Sequence, residues 1–284
     1  MLKFVFIMLL LSMAVGFIYG TYTRKQKEKA AAEEAFRKKA EYEERERKRK
    51  EENEAREKRI AQKTAEAGEK FNALLASIPA HEVVKDPGAT RKPLAECEKV
   101  EHSISGISKS NSREKLGQFV VIDTETTGLH CVQNQIVELT AIRFRDWKPV
   151  EIFTTLINPG KPIPEDATRI HGITDEMVKD APKIGEVIKD FDSFLGSDNL
   201  LGHNLPFDLG FLDMSGSEYS NTKRKYYDTL SLAQYLDFNV VNNKLTTLCD
   251  HFFIRDNATA HRSASDALAT GLLFDKLVEQ KMLR

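Results

Sequence analysis

Phe119-Val-Val-Ile-Asp123-Thr-Glu125-Thr-Thr-Gly128 is a short apolar run that ends in two acids, two positions apart, and then turns. A run of this length reads as a buried strand. Residues i and i+2 of an extended segment leave the same face, so Asp123 and Glu125 share one. They lie just past the apolar part of the strand, where open α/β sheets place their sites. Carboxylates this close repel each other and hold their protons unless a cation lies between them. Either acid alone would pass for an ordinary strand-end or helix-capping residue, so its meaning depends on its companions.

The companions are two further motifs. Gly202-His203-Asn-Leu-Pro-Phe-Asp208 sets an acid early in a helix entered through Asn204 and Pro206. His261-Arg-Ser-Ala-Ser-Asp266 sets a histidine five residues before a fourth acid, in the first turns of a helix capped near Ser263 or Ser265. An acid in a first turn is ordinary helix stabilisation, and a lone histidine is more often structural than catalytic. Together, four hard carboxylate donors and one imidazole suit a site that holds two divalent cations around a phosphodiester.

Between these motifs the pattern is strands first, then alternating elements. Strands are expected at Gln118–Asp123, Ile136–Arg145, Val150–Ile157 and from Leu200, with an Asp146-Trp-Lys-Pro turn. Helices are expected at Pro182–Leu195, Pro206–Met214, Leu230–Leu236, Leu245–Phe252 and Ala264–Val278. That order implies an α/β domain, a mixed sheet flanked by helices.

The three motifs resemble those of the DEDDh branch of 3′→5′ exonucleases, which includes the proofreading subunit of bacterial DNA polymerase III and RNase T. The resemblance covers residues 117–284 and extends to Ile157-Asn-Pro-Gly-Lys-Pro-Ile-Pro, Arg169-Ile-His171-Gly-Ile-Thr-Asp-Glu-Met and Tyr227-Asp228-Thr229. It implies a ribonuclease H-like sheet and assigns Asp123, Glu125, Asp208 and Asp266 to a cluster holding two Mg²⁺ or Mn²⁺ ions, with Asp208 acting through a water. His261 becomes the general base, and a 5′-mononucleotide is released from a single-stranded or frayed DNA or RNA 3′ end. Thr126, Thr127 and Gly128 are expected near the terminal 3′-OH, Phe207 near the terminal base, and His171 at the substrate or fixing its own loop. Lys223-Arg-Lys225 is the dense basic patch of the domain and could guide phosphates or be a solvated turn. The rival reading is a tethering protein that uses the domain as a non-catalytic nucleic-acid module.

The formal net charge of −1 hides an asymmetry: Lys and Arg outnumber Asp and Glu 25 to 19 before residue 117, and are outnumbered 17 to 24 from there on. An acidic domain argues against a wrapped duplex, because basic faces supply such affinity. Cys97, Cys131 and Cys249 are odd in number and form no CxxC pair, which excludes a disulfide framework or zinc knuckle and fits a reducing compartment.

Residues 4–22 carry no charge and match the thickness of a bilayer core. They read as an uncleaved transmembrane anchor, with a cleavable signal as the alternative. Arg24, Lys25, Lys27 and Lys29 then orient the C-terminal domain to the cytoplasmic side of the inner membrane. Ser12, Gly16 and Gly20 form a small-xxx-small series that could pair two copies. Residues 23–70 lack proline and are laced with acid–base pairs four apart, so one long charged helix is expected. With only Phe36, Tyr42 and Ile60 as large apolar residues, a free-standing spacer fits better than a coiled coil. Residues 71–116, broken by Pro79, Pro87, Gly88 and Pro93, read as a flexible linker, leaving 117–284 as the globular domain.

Overall fold

The computed structural model describes residues 2–87, 105–107, 112–255 and 261–283. It divides into two units, Met1–Gln62 and Lys63–Arg284.

The first unit is helical throughout, the leading part of α1 (Leu2–Ser77). Two of the expected acid-then-base pairs close, Glu34–Lys38 and Glu44–Lys48, both at 2.8 Å. Others run base-then-acid, as in Arg24–Glu28 and Lys29–Glu33. Because these pairs are exposed, water screens each of them and they add little stability. The expected transmembrane anchor is corrected: among the described residues, no helix is long and apolar enough to cross a membrane. Residues 4–22 open a helix that continues unbroken into a charged segment, and Ser12, Gly16, Gly20 and Thr21 dilute their apolar character. The inner-membrane location and the anchor-paired homodimer rested on that span and fall with it.

The second unit is built on a five-stranded sheet. A short α2 (Arg113–Leu116) leads into β1 (Phe119–Thr126), β2 (Ile136–Arg145) and β3 (Lys148–Leu156). Then come α3 (Glu165–His171), α4 (Asp175–Val178), α5 (Ile184–Leu195), β4 (Asn199–Gly202) and α6 (Leu205–Met214). After a 3₁₀ turn at Tyr219–Asn221, β5 (Tyr226–Asp228), α7 (Thr229–Leu236), α8 (Leu245–Phe252) and α9 (Ser263–Leu283) complete the chain. The strand order is β3-β2-β1-β4-β5; β1–β2 and β2–β3 pair antiparallel, β1–β4 and β4–β5 parallel. This is the mixed, helix-flanked sheet that the sequence implies. Its β2–β3 turn uses Asp146 and Trp147, both at positive φ (51° and 67°).

Alternation along β1 sends its side chains to two cores. Phe119 and Val121 join the α9 side, with Leu268, Leu273 and Phe274. Val120 and Ile122 join the α5–α6 side, with Val187, Phe191 and Leu209. On the first face α9 lies so close to β2 that a Cβ on Gly271 would sit 2.3 Å from the Phe144 ring. Only glycine permits that approach.

The last turns of α1 and the segment after it pack on this unit. Phe71 and Ile78 are buried in its core. Residues 79–81 then run along the free edge of β3, where Ile152 N–H donates to the Pro79 carbonyl at 2.9 Å and His81 N–H to the Ile152 carbonyl at 2.7 Å. At the opposite edge, Ser105 N–H donates to the Tyr226 carbonyl at 2.6 Å. Covered edges present no unpaired ladder to other chains. A fragment starting at residue 117 should therefore melt well below one starting at 63. It loses the buried side chains of Phe71, Ile78 and Leu116, each worth about 1.5–3 kcal/mol, and exposes both edges. Thermal melts of the two fragments check this, and coincident transitions would count against it.

Candidate metal centre and nucleic-acid site

Asp123 and Glu125 leave β1 on the face that carries α9, and the first turns of α9 bring Asp266 to meet them. Asp123, Glu125 and Asp266 each offer a carboxylate oxygen, and these lie within 4.8 Å of one another. All three are half-buried. Burial first, then repulsion from Asp266, Asp208 and Glu125, pushes Asp123 well above the usual carboxylate range. Burial and repulsion from Asp266, Glu138 and Asp208 push Glu125 up to about 8.

Asp208 stands apart from that trio. It is buried on α6, on the other side of the sheet, and Thr124 Oγ1 donates to its Oδ1 at 2.8 Å. Thr124 is the residue between the two β1 acids, so alternation turns it towards α6. Burial raises Asp208 to about 7, although the Thr124 hydrogen bond pulls the other way. The structure thus gathers three of the four expected carboxylates and places the fourth behind the strand, within electrostatic reach of Asp123 and Glu125.

His261 is exposed, at a φ of 62°, immediately ahead of α9. It lies five residues before Asp266, and its neighbour Arg262 donates to Glu138, which pairs across from Glu125 in the β1–β2 register. His171 is buried; its Nδ1 accepts from Ile173 N–H at 3.0 Å, and burial lowers its pKa. That hydrogen bond fixes the His171–Ile173 loop.

Around the turn, Thr127 N–H donates to the Gln135 carbonyl at 2.9 Å, and Thr126 Oγ1 donates to the Gly128 carbonyl at 2.8 Å. The Thr127 amide is therefore committed within the loop. A Cβ on Gly128 would meet Asn134 Oδ1 at 2.7 Å. Phe207 is half-buried and packs on Phe211, ring centroids 5.0 Å apart. In the basic patch, Arg224 Nη2 donates to the Gly196 carbonyl at 2.5 Å.

Sequence reading missed the residues that hold these groups in place. Glu138, buried in β2, accepts from Arg262 at 2.6 Å and from Ser263 N–H at 2.9 Å. Burial alone would raise Glu138, but these hydrogen bonds outweigh it and leave its pKa lowered. Thr140, also buried, joins hydroxyls with Ser263 at 2.6 Å. Both pin the start of α9 to the sheet. Asp228 caps α7, accepting from Leu230 and Ser231 N–H, and receives the Asn204 amide at 2.7 Å, which fixes the entry to α6. A faint signal existed: Glu138 and Thr140 interrupt an otherwise apolar strand.

The chain is 40% identical over 164 residues to DNA polymerase III PolC-type of Oceanobacillus iheyensis, and 37% to that of Bacillus subtilis. Each match covers 57% of this chain but only 11% of the relative's own length. Among solved structures, exonuclease X in complex with 5′ overhanging duplex DNA is 28% identical with a TM-score of 0.48, covering 57% of this chain and 91% of that one. E. coli exonuclease I in complex with a dA16 oligonucleotide is 18% identical with a TM-score of 0.45, covering 57% and 42%. The RNase_T family model, described as an exonuclease, matches residues 120–274. The chain belongs to that exonuclease family.

Proposed function

We propose that this protein hydrolyses single-stranded or frayed nucleic acid from the 3′ end with the help of two divalent cations, releasing 5′-mononucleotides. One observation carries the reading: three carboxylates from β1 and α9 converge, and burial with mutual repulsion raises the pKa values of Asp123 and Glu125. The donor set fits a hard cation, being all carboxylate oxygen, without thiolate or imidazole among the three. Asp123, Glu125 and Asp266 would hold Mg²⁺ or Mn²⁺ directly. Asp208, fixed by Thr124, would act through a water. Ions so bound supply Lewis-acid stabilisation of charge at the scissile phosphate.

The chain's own residues do the rest. His261, exposed just ahead of α9, would accept the proton of the attacking water. Thr126 and Gly128 shape the turn that meets the terminal 3′-OH, and Phe207 presents a ring edge to the last base. His171 holds the neighbouring loop. The matched relatives are DNA polymerases, which favours DNA over RNA as substrate. Full-length protein mixed with Mn²⁺ and 3′-labelled single-stranded DNA or RNA of equal sequence tests the proposal. Labelled 5′-mononucleotide, released faster from DNA, is the expected product. No release from either strand would leave the domain as a non-catalytic binding module.

A further inference from the structure

Arg255 is 1% exposed, among the largest fully buried side chains described. A buried guanidinium is costly unless its charge is compensated; the Arg255 Nε has no hydrogen-bond partner among the described residues, so the two terminal nitrogens carry the pairing. Its Nη2 donates to Asp266 Oδ1 at 2.6 Å and its Nη1 to Ser265 Oγ at 2.6 Å. On the other side its carbon centre lies 5.8 Å from the Phe71 ring centroid. Phe71 belongs to the last turns of α1 and is itself buried. The fork, three residues beyond α8, therefore bridges the tail of α1 and the first turns of α9.

We infer that Arg255, backed by Phe71, is a positioning residue that fixes the Asp266 carboxylate for cation binding. The inference rests on the proposed metal site and goes beyond it. Asp266 is the only member of the trio that comes from a helix, whereas Asp123 and Glu125 are set by strand register. Its carboxylate can rotate unless something holds one oxygen. Arg255 holds Oδ1, so that the second oxygen would remain for a cation. Ser265 steadies the fork in plane, and the apolar face of Phe71 closes off water that would compete for the guanidinium. Hydrogen bonds behind a metal ligand typically change affinity about 10–100-fold when removed. Lysine keeps the charge but cannot reach Ser265 and Asp266 in one plane.

The test titrates full-length protein with Mn²⁺ alone, reading free ion by electron paramagnetic resonance. Asp266→Asn is the control. Arg255→Met should weaken binding about 10–100-fold, with Arg255→Lys between it and the parent. Nuclease activity lost by Arg255→Met at low Mn²⁺ should return at saturating Mn²⁺, a recovery that an unfolded fraction would not show. If Arg255→Met binds Mn²⁺ like the parent while Asp266→Asn does not, the positioning role is overturned and the metal site stands. If Asp266→Asn also binds like the parent, the site itself is wrong and this role goes with it. Should circular dichroism show Arg255→Met unfolded, Phe71→Leu decides: weakened Mn²⁺ binding supports the role, and unchanged binding overturns it.

Discussion

Asp123→Asn is expected to abolish metal-dependent nucleotide release and, in the same molecule, to raise the melting temperature of the metal-free protein at alkaline pH. Both effects come from one crowding of charge. Burial and mutual repulsion push Asp123 well above the carboxylate range, Glu125 to about 8 and Asp208 to about 7. These folded values lie above the unfolded ones, so the folded state binds more protons through the interval between. Stability is then fully present below about pH 4 and is lost as pH rises towards about 8. Asparagine matches aspartate in shape and removes one of the repelling charges, so the decline should be shallower. The same exchange deletes a cation ligand, and release should fall at least about a thousandfold, roughly 4 kcal/mol of barrier. Melting curves in chelator from about pH 5 to 9, with and without the substitution, read the first effect. Added Mn²⁺ should restore the parent at high pH and do little for the variant. Equal pH slopes would mean that the acids are not short of counter-charge.

The elements most legible in the sequence were those whose pattern is local. Ile136–Arg145 and Leu245–Phe252 have the expected boundaries, because a long apolar strand and an amphipathic helix each declare themselves without partners. β5 was invisible: Tyr226–Asp228 is three residues long and exists because Leu200 and Leu201 offer it a parallel ladder. α3 and α4, seven and four residues long, are held by packing with Val137. Pro79 and His81 looked like a linker because proline breaks helices, yet a chain without a helix can still lie along a sheet edge. In the site, the period of two placed Asp123 and Glu125 together, and first-turn position placed Asp266. Which side of β1 Asp208 would approach from depended on α6 packing opposite α9, which no local spacing encodes. Glu138 and Arg255 act across 124 and 11 residues respectively. Neither carries a motif of its own. Residues 4–22 carry no charge and read as a span, yet among the described residues no helix is long and apolar enough to cross a membrane.

Replacing His261 should cost about 10²–10⁴ in turnover, the usual contribution of a positioned general base, and leave Mn²⁺ affinity almost unchanged. The separation follows from where the residue sits. His261 is exposed and outside the three-carboxylate group, so its loss removes no cation ligand. It is held at a φ of 62°, a region that asparagine tolerates better than most residues. His261→Asn is therefore a cleaner probe than alanine, since it removes the imidazole with least strain on the entry to α9. That entry also carries Arg262 and Ser263, both bound to Glu138, so a backbone shift there would disturb Asp266 and show up as weaker metal binding. The informative result is thus a pair of measurements. Turnover down by orders of magnitude with Mn²⁺ binding intact assigns proton transfer to the imidazole. Weaker binding with an equal loss in rate would make His261 a support for α9, and undiminished turnover would require another group to take the proton.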